Sequence, residues 1–377
     1  MLKNKIYKYF FKEILKNFTT VLLTFTAIAW VVRAVNFLDL MVEDGYGSII
    51  YFKYSLLNIT TIITRFVPLA FLISLLISII KFERQQELLI LWTTGLAKTK
   101  IVNIFLLIGI IITFFQLTLS LFVNPYLLNK SRSLLSETGS LEMNSVLKSG
   151  DFSDAFKGIT FYIDNKNANN ELINIFIKDV SGNLGTIVNS VEQKKNSTII
   201  AKKGFLSSDK LILFDGTIQT LSNKNELSNV QFEKTELSLG NMTTRSIKLP
   251  KLQETPSSLL IKCVLNQNYS SNFRNCSENY KTEAIQTITR RLGAPLYIPL
   301  ISIIISFLLV YKKENKFNFL KKYTLFIFSF SALIFSEILL KYAGSISWVT
   351  TSYFVLPMGI SFLLYVYLIK KMMSGKL

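Results

Sequence analysis

Six long apolar runs constrain this chain before any other feature does. They fall at roughly 16–38, 56–80, 101–123, 288–310, 323–342 and 349–369. A run of about 18 or more apolar residues reads as a transmembrane helix. Composition agrees: 50% of the residues are hydrophobic and 30 are Phe. The first run, around "VLLTFTAIAWVV", is longer than the apolar region of a signal peptide. No small-residue cleavage site follows it, so it is expected to be an uncleaved span.

Charge orients the six spans. Lys3, Lys5, Lys8, Lys12 and Lys16 precede the first. Lys81, Arg84, Lys98 and Lys100 lie between the second and third, and Lys312, Lys313, Lys316, Lys321 and Lys322 between the fourth and fifth. Lys370, Lys371 and Lys376 follow the last. All four clusters fall on one side of a six-span topology, which the positive-inside bias assigns to the cytoplasm, together with both termini. The formal net charge is +18. Basic and acidic residues nearly balance over 124–285, so the excess belongs to the membrane flanks and not to a nucleic-acid surface.

The polar insert, 124–287, is then expected outside. It alternates in short runs: "GITFYID", "LINIFIKDV", "NSTIIAKKG", "DKLILFDGTIQTL" and "VQFEKTELSL". Period-two runs bounded by Asn, Gly and Asp read as strands joined by tight turns, and several of them read as an all-β sandwich or jelly roll. The Asn-rich composition also suits a disordered linker; the repeated alternation favours a folded domain. Cys263 and Cys276 sit just before the fourth span, on the oxidising side, where they are either disulfide-bonded or two free thiols.

Several chemistries are excluded. The chain has no His, which removes His-based acid–base catalysis, Ser-His-Asp triads and His metal sites. Two cysteines cannot build a Cys-rich zinc site. No G-x-x-x-x-G-K-[ST] occurs, so the chain has no phosphate-binding loop for ATP. Neither cofactor nor metal is expected.

Three stretches carry a resemblance. The opening "IYKYFFKEILKNF" matches a "Y-x-x-[KR]-E" pattern. "RFVPLAFLISLLISIIKFERQQELLILWTTGLAKTKI" resembles a second span followed by "E-L-x-x-x-x-x-x-G-L-S", with Ala97 in place of the Ser. "RRLGAPLYIPLISI" resembles the start of a fourth span. Together they resemble the LptF/LptG (YjgP/YjgQ) family of lipopolysaccharide export permeases, more the LptF type, over nearly the whole chain. The resemblance implies an α-helical membrane protein of six transmembrane helices with an inserted periplasmic jelly-roll-like β domain. Its parts are 1–123 with a cytoplasmic coupling helix at 83–93, the β domain at 124–287, and three further spans at 288–377. It implies a multi-pass protein of the bacterial inner membrane, serving as permease subunit of an ATP-driven exporter. Its partners are an LptG-like permease, an LptB-like ATPase dimer, an LptC-like protein and lipopolysaccharide, which would pass to a periplasmic bridge toward the outer membrane.

The stretch at 83–93 is a short amphipathic helix between two spans, stopped before Gly95. Leu88, Leu91 and Trp92 share one face by spacing, and Glu83 and Glu87 lie four apart. Apolar anchors beside an acid suit docking into a groove of a partner protein. A helix lying flat on lipid is the alternative, but its polar face would be mainly basic. By resemblance this is the coupling helix, with Glu87 at the acidic docking position.

Six basic residues break the positive-inside trend: Arg33, Lys53, Arg65, Arg290, Arg291 and Lys341. A charge within a span has a partner or lines a polar cavity. Lys53 reads as a loop charge. The other five are expected to meet the lipid phosphates, with Arg33 and Lys341 at basic positions of the family. Lys341 also has Glu337 one turn before it, which offers an ion pair instead. Arg290 and Arg291 can instead snorkel to the headgroup layer.

Rival functions leave different marks. A secondary transporter needs intramembrane acids and broken helix pairs, and Glu337 alone lies well inside a span. A permease of the lipoprotein-release type places its outward domain after the first span. A membrane-anchored sensor needs no docking helix, and no catalytic cluster supports an intramembrane enzyme.

Overall fold

Each of the six apolar runs forms a helix long and apolar enough to cross a bilayer, and most are longer than the run itself. In this computed structural model the described residues are 5–42, 46–139, 149–156, 158–167, 171–180, 196–207, 210–221, 227–238, 251–265, 270–271, 274–275, 278–310 and 318–373. The six spans are Lys5–Met41, Ser48–Arg84, Lys98–Leu135, Tyr280–Val310, Lys322–Tyr342 and Ser347–Met373. The helices start earlier than hydropathy indicates because amphipathic turns continue them. In α1 (Lys5–Asn36), Tyr7, Phe10, Ile14, Phe18 and Leu22 form one buried stripe that begins well before the apolar run.

Two compact units emerge. The first comprises Met1–Val32, Leu57–Asn129 and Pro250–Leu377; the second comprises Arg33–Leu56 and Lys130–Leu249. The polar insert thus shares its unit with the segment joining the first two spans, and the stretch from Pro250 packs with the helices instead.

The first unit contains most of α1, then α3 (Ile59–Arg84), which follows the short α2 (Ser48–Leu57), then α4 (Glu87–Thr93) and α5 (Lys98–Thr118). A π-turn at Leu119–Val123 leads into α6 (Asn124–Gly139). The chain returns through α7 (Ser257–Leu265) and α8 (Glu278–Gly293), and continues as α9 (Tyr297–Ser306), α10 (Asn318–Tyr342) and α11 (Ser347–Met373). The fourth span is the centre of this bundle. Its most apolar window is 78% buried, against 11% for the first span and 17% for the fifth and sixth. Helix α9 is apolar all round and packs on α3, α5, α10 and α11. Gly109 lets α5 approach it closely, since an added Cβ would sit 3.3 Å from Ser302 Cβ. The first, fifth and sixth spans have broad apolar faces left exposed among the described residues, including Leu23, Ile28, Val31 and Val32 on α1.

The second unit carries the all-β insert. Strands β1 (Phe152–Phe156), β2 (Ile159–Lys166), β3 (Glu171–Asp179), β4 (Asn196–Ser207), β5 (Lys210–Leu221) and β6 (Leu227–Ser238) pair antiparallel in sequence order, as a meander. Alternation puts Ile159, Phe161 and Ile163 of β2 and Ile175 and Ile177 of β3 into one core. Tyr51 donates its hydroxyl to Ala34 O at 2.9 Å, and Tyr46 to Leu135 O at 3.2 Å.

One row interrupts the ladders. Pairing skips Asp164, Asn174, Lys202, Asp215 and Glu233, which lie opposite one another across β2 to β6. Asn174 and Asp215 there adopt left-handed backbone, with φ of 52° and 51°. The buried positions change parity at this line. On β5, Leu211 and Leu213 point inward before it and Ile218 and Thr220 after it. Both sets of apolar residues join the same core, so the kinked row bends the sheet around that core.

Candidate functional site: the elbow between the second and third spans

The expected helix at 83–93 is split. Glu83 and Arg84 are the last residues of α3, and Gln86 turns the chain with φ 57°. Helix α4 therefore runs only over Glu87–Thr93. Its end is as expected. Gly95 takes φ +85°, Gly95 N donates to Trp92 O at 3.2 Å, and Leu96 N to Leu91 O at 3.0 Å. This pair of bonds is a Schellman stop. An added Cβ at Gly95 would meet nothing within 4 Å, so only backbone strain opposes substitution. Gly95→Ala should cost about 1 kcal/mol and speed local hydrogen exchange of the α4 amides about fivefold, whereas Gly95→Asn should stay near wild type.

The faces of α4 correct the expected anchors. Leu88 and Leu91 are 4% and 9% exposed and lie in the bundle's own core. Trp92 packs against that core with Nε1 buried and unpartnered, and Lys98 Nζ stands 4.6 Å from the centre of its ring. These three side chains hold the helix down and are not presented outward. The outward face carries Leu89 and Ile90, 51% and 57% exposed.

Glu87 also serves this attachment. Its Oε1 accepts a hydrogen bond from Tyr9 OH at 2.9 Å, and its Oε2 is buried without a partner. One turn further along α1, Glu13 pairs with Lys81 of α3. Tyr9 and Glu13 are the first and last residues of the opening "Y-x-x-[KR]-E" pattern. They clip α1 to both sides of the Gln86 elbow. On the other flank, Lys322 of α10 pairs with Glu83. The sequence signal for this clip was the i, i+4 spacing of Tyr9 and Glu13 on one helix face.

The five basic residues part company. Arg33 is half-buried, with its guanidinium carbon 5.9 Å from the centre of the Phe37 ring. Arg65 and Lys341 are exposed on α3 and α10. Arg290 bonds Glu337 at 3.0 Å, so Glu337 pairs across helices and not with Lys341 on its own helix. Arg291 is a correction: it is 6% exposed, and no face remains for a lipid phosphate. Its Nη1 donates to Thr255 O at 3.0 Å and Ser257 Oγ at 2.7 Å. Its Nη2 donates to Leu252 O at 3.1 Å and Gln253 O at 3.0 Å. Ser257 Oγ in turn donates to Leu121 O, at 2.8 Å, in the π-turn. Arg291 thus clasps the returning chain to the bundle.

A polar cluster near Arg65 had no place in the sequence reading. Gln116 Nε2 donates to Thr64 O at 3.2 Å and Asn124 Nδ2 to Thr64 Oγ1 at 3.0 Å. A carboxamide deep in the apolar run of α5, Gln116, is its mark in the sequence. Cys263 on α7 is buried and disulfide-bonded. Cys276 lies outside the described residues.

With this geometry in hand, comparison with known proteins is specific. The family described as "Lipopolysaccharide export system permease LptF/LptG" matches residues 8–371. No curated protein matches the chain.

Proposed function

The chain belongs to the LptF/LptG family of lipopolysaccharide export permeases, and from that premise we propose that it is the permease half of an ATP-driven exporter whose hydrolysis is done by a separate subunit. The observation that carries this reading is helix α4. It is a seven-residue helix held between two spans by a left-handed elbow, a Schellman stop and the Tyr9–Glu87 bond, with Leu89 and Ile90 outward. A rigid helix with a small apolar face fits a groove on an ATPase dimer. Glu87 acts from beneath, setting the tilt of α4, while Leu89 and Ile90 make the contact.

In the proposed arrangement both termini and α4 are cytoplasmic, and the insert at 124–287 faces the periplasm. The uncovered apolar faces of the first, fifth and sixth spans support a second, LptG-like permease as partner. The antiparallel sheet would continue, with an LptC-like protein, a β bridge toward the outer membrane. Arg33, Arg65 and Lys341 would each meet a lipid phosphate, and Arg290 is held by Glu337. Arg33 leads because a guanidinium near the outer end of the first span suits bidentate phosphate contact.

A photoreactive side chain at Val32 tests the reading. In inner-membrane vesicles it should capture lipopolysaccharide, and ATP should change the yield. Arg33→Glu should lower capture at least fivefold without loss of the complex, and Arg33→Lys should retain part of it. Equal capture in Arg33→Glu and wild type would move the lipid-head contact to Arg65 or Lys341. No capture under any condition would remove the transport path from the first span.

A further inference from the structure

A cavity of about 490 Å³ lies between the end of α3 and the start of α10. Its two ends differ. Leu76, Ile80 and Phe326 line the apolar end, and Glu83, Arg84 and Lys322 the polar one. Lys322 and Glu83 neutralise each other in an ion pair. Arg84 is exposed and forms no ion pair among the described residues, so the described lining of the polar end carries one net positive charge.

The depth of the cavity is fixed by the spans that form it. Arg84 is the last residue of the second span and Lys322 the first of the fifth, so the polar end lies at headgroup level. From Leu76 to Arg84 the apolar wall runs about 12 Å along α3, into the hydrocarbon layer. A soluble anion would match the charge and leave this wall empty. A neutral acyl chain would match the wall and leave Arg84 uncompensated. A zwitterionic lipid would bring an ammonium group toward Arg84 and Lys322.

We propose that this cavity holds one anionic glycerophospholipid, its phosphodiester on Arg84 and an acyl chain along Leu76, Ile80 and Phe326. The single net charge of the described lining matches the single charge of such a phosphodiester. The headgroup then sits two residues from Gln86, beside the elbow that leads into α4.

Native mass spectrometry of the delipidated full chain, with whatever subunits accompany it, tests the proposal. Phosphatidylglycerol and phosphatidylcholine are titrated separately, with inorganic phosphate and lipopolysaccharide as competitors. Wild type should bind one phosphatidylglycerol about tenfold more tightly than phosphatidylcholine. Arg84→Ala, on an exposed side chain, should remove that preference and leave phosphatidylcholine binding unchanged, and Arg84→Lys should keep most of it. Ile80→Trp, which fills the apolar end, should abolish retention of both lipids. Equal affinity for the two lipids in wild type would overturn the proposal, as would a preference that survives Arg84→Ala. Displacement by inorganic phosphate alone would reduce the site to an anion contact. Displacement by stoichiometric lipopolysaccharide would make the cavity part of the transport path. If Ile80→Trp does not fold, the Arg84 pair decides.

Discussion

Leu89→Asp with Ile90→Asp is expected to abolish recovery of the proposed ATPase partner with this chain while leaving the chain itself folded. Both side chains are more than half exposed, so the bundle loses little packing. At an ATPase interface, however, each would bury roughly 1.5–3 kcal/mol of apolar surface, and each new carboxylate would have to be desolvated. A loss of about 4 kcal/mol corresponds to roughly thousandfold weaker association. Leu88→Asp makes the contrast. It puts a charge at a position 4% exposed inside the core and should lower the yield of folded protein itself. Affinity purification with quantification of the co-purifying ATPase separates the two. Undiminished ATPase recovery in the Leu89/Ile90 variant would place docking away from α4.

The second large effect is expected at Arg291. Its guanidinium donates to three backbone carbonyls and to the Ser257 hydroxyl. Arg291→Ala strands those acceptors in a buried site and should destabilise the first unit by about 4 kcal/mol. Arg291→Lys should recover only part of this, since one ammonium cannot span four acceptors arranged for a planar fork. Thermal unfolding in detergent, followed by the loss of monodisperse protein, measures the difference. Arg290→Ala, which breaks a pair between side chains 51% and 63% exposed, should change stability by less than about 1 kcal/mol. If the two alanine variants melt alike, the clasp does not hold the returning chain.

The contrast between these adjacent arginines shows what the sequence carried and what it did not. Six spans and a β insert were legible, because length and period are local properties of the chain. The Tyr7 to Leu22 stripe was not, because hydropathy averages over a face that only periodicity reveals. Neighbouring helical residues point about 100° apart, so Arg290 and Arg291 had to differ in environment. Only packing could say which one faced inward. Helix α4 poses the same problem more sharply. Leu88, Leu89, Ile90, Leu91 and Trp92 are all apolar, and an unbroken apolar run names no inner face. The spacing argument groups Leu88, Leu91 and Trp92 on one face, and that face packs against the bundle's core. Gln86 gave no warning of left-handed backbone. In β5, the run "DKLILFDGTIQTL" forms one strand over Lys210–Leu221, but the left-handed kink at Asp215 had no mark in its alternation.

The central place of the fourth span has a consequence during biosynthesis. The third span ends at Leu135 and the fourth begins at Tyr280. At roughly 5–20 residues per second, the ribosome needs about 7–30 s to traverse that interval. Throughout it, the second and third spans are already made, yet the helix they will enclose does not exist. Gly109, which Ser302 approaches in the finished protein, faces lipid or an insertion chaperone until then. The first three spans are therefore a nascent intermediate with an open seat, and the outward domain has time to be translocated and to begin folding before the seat is filled.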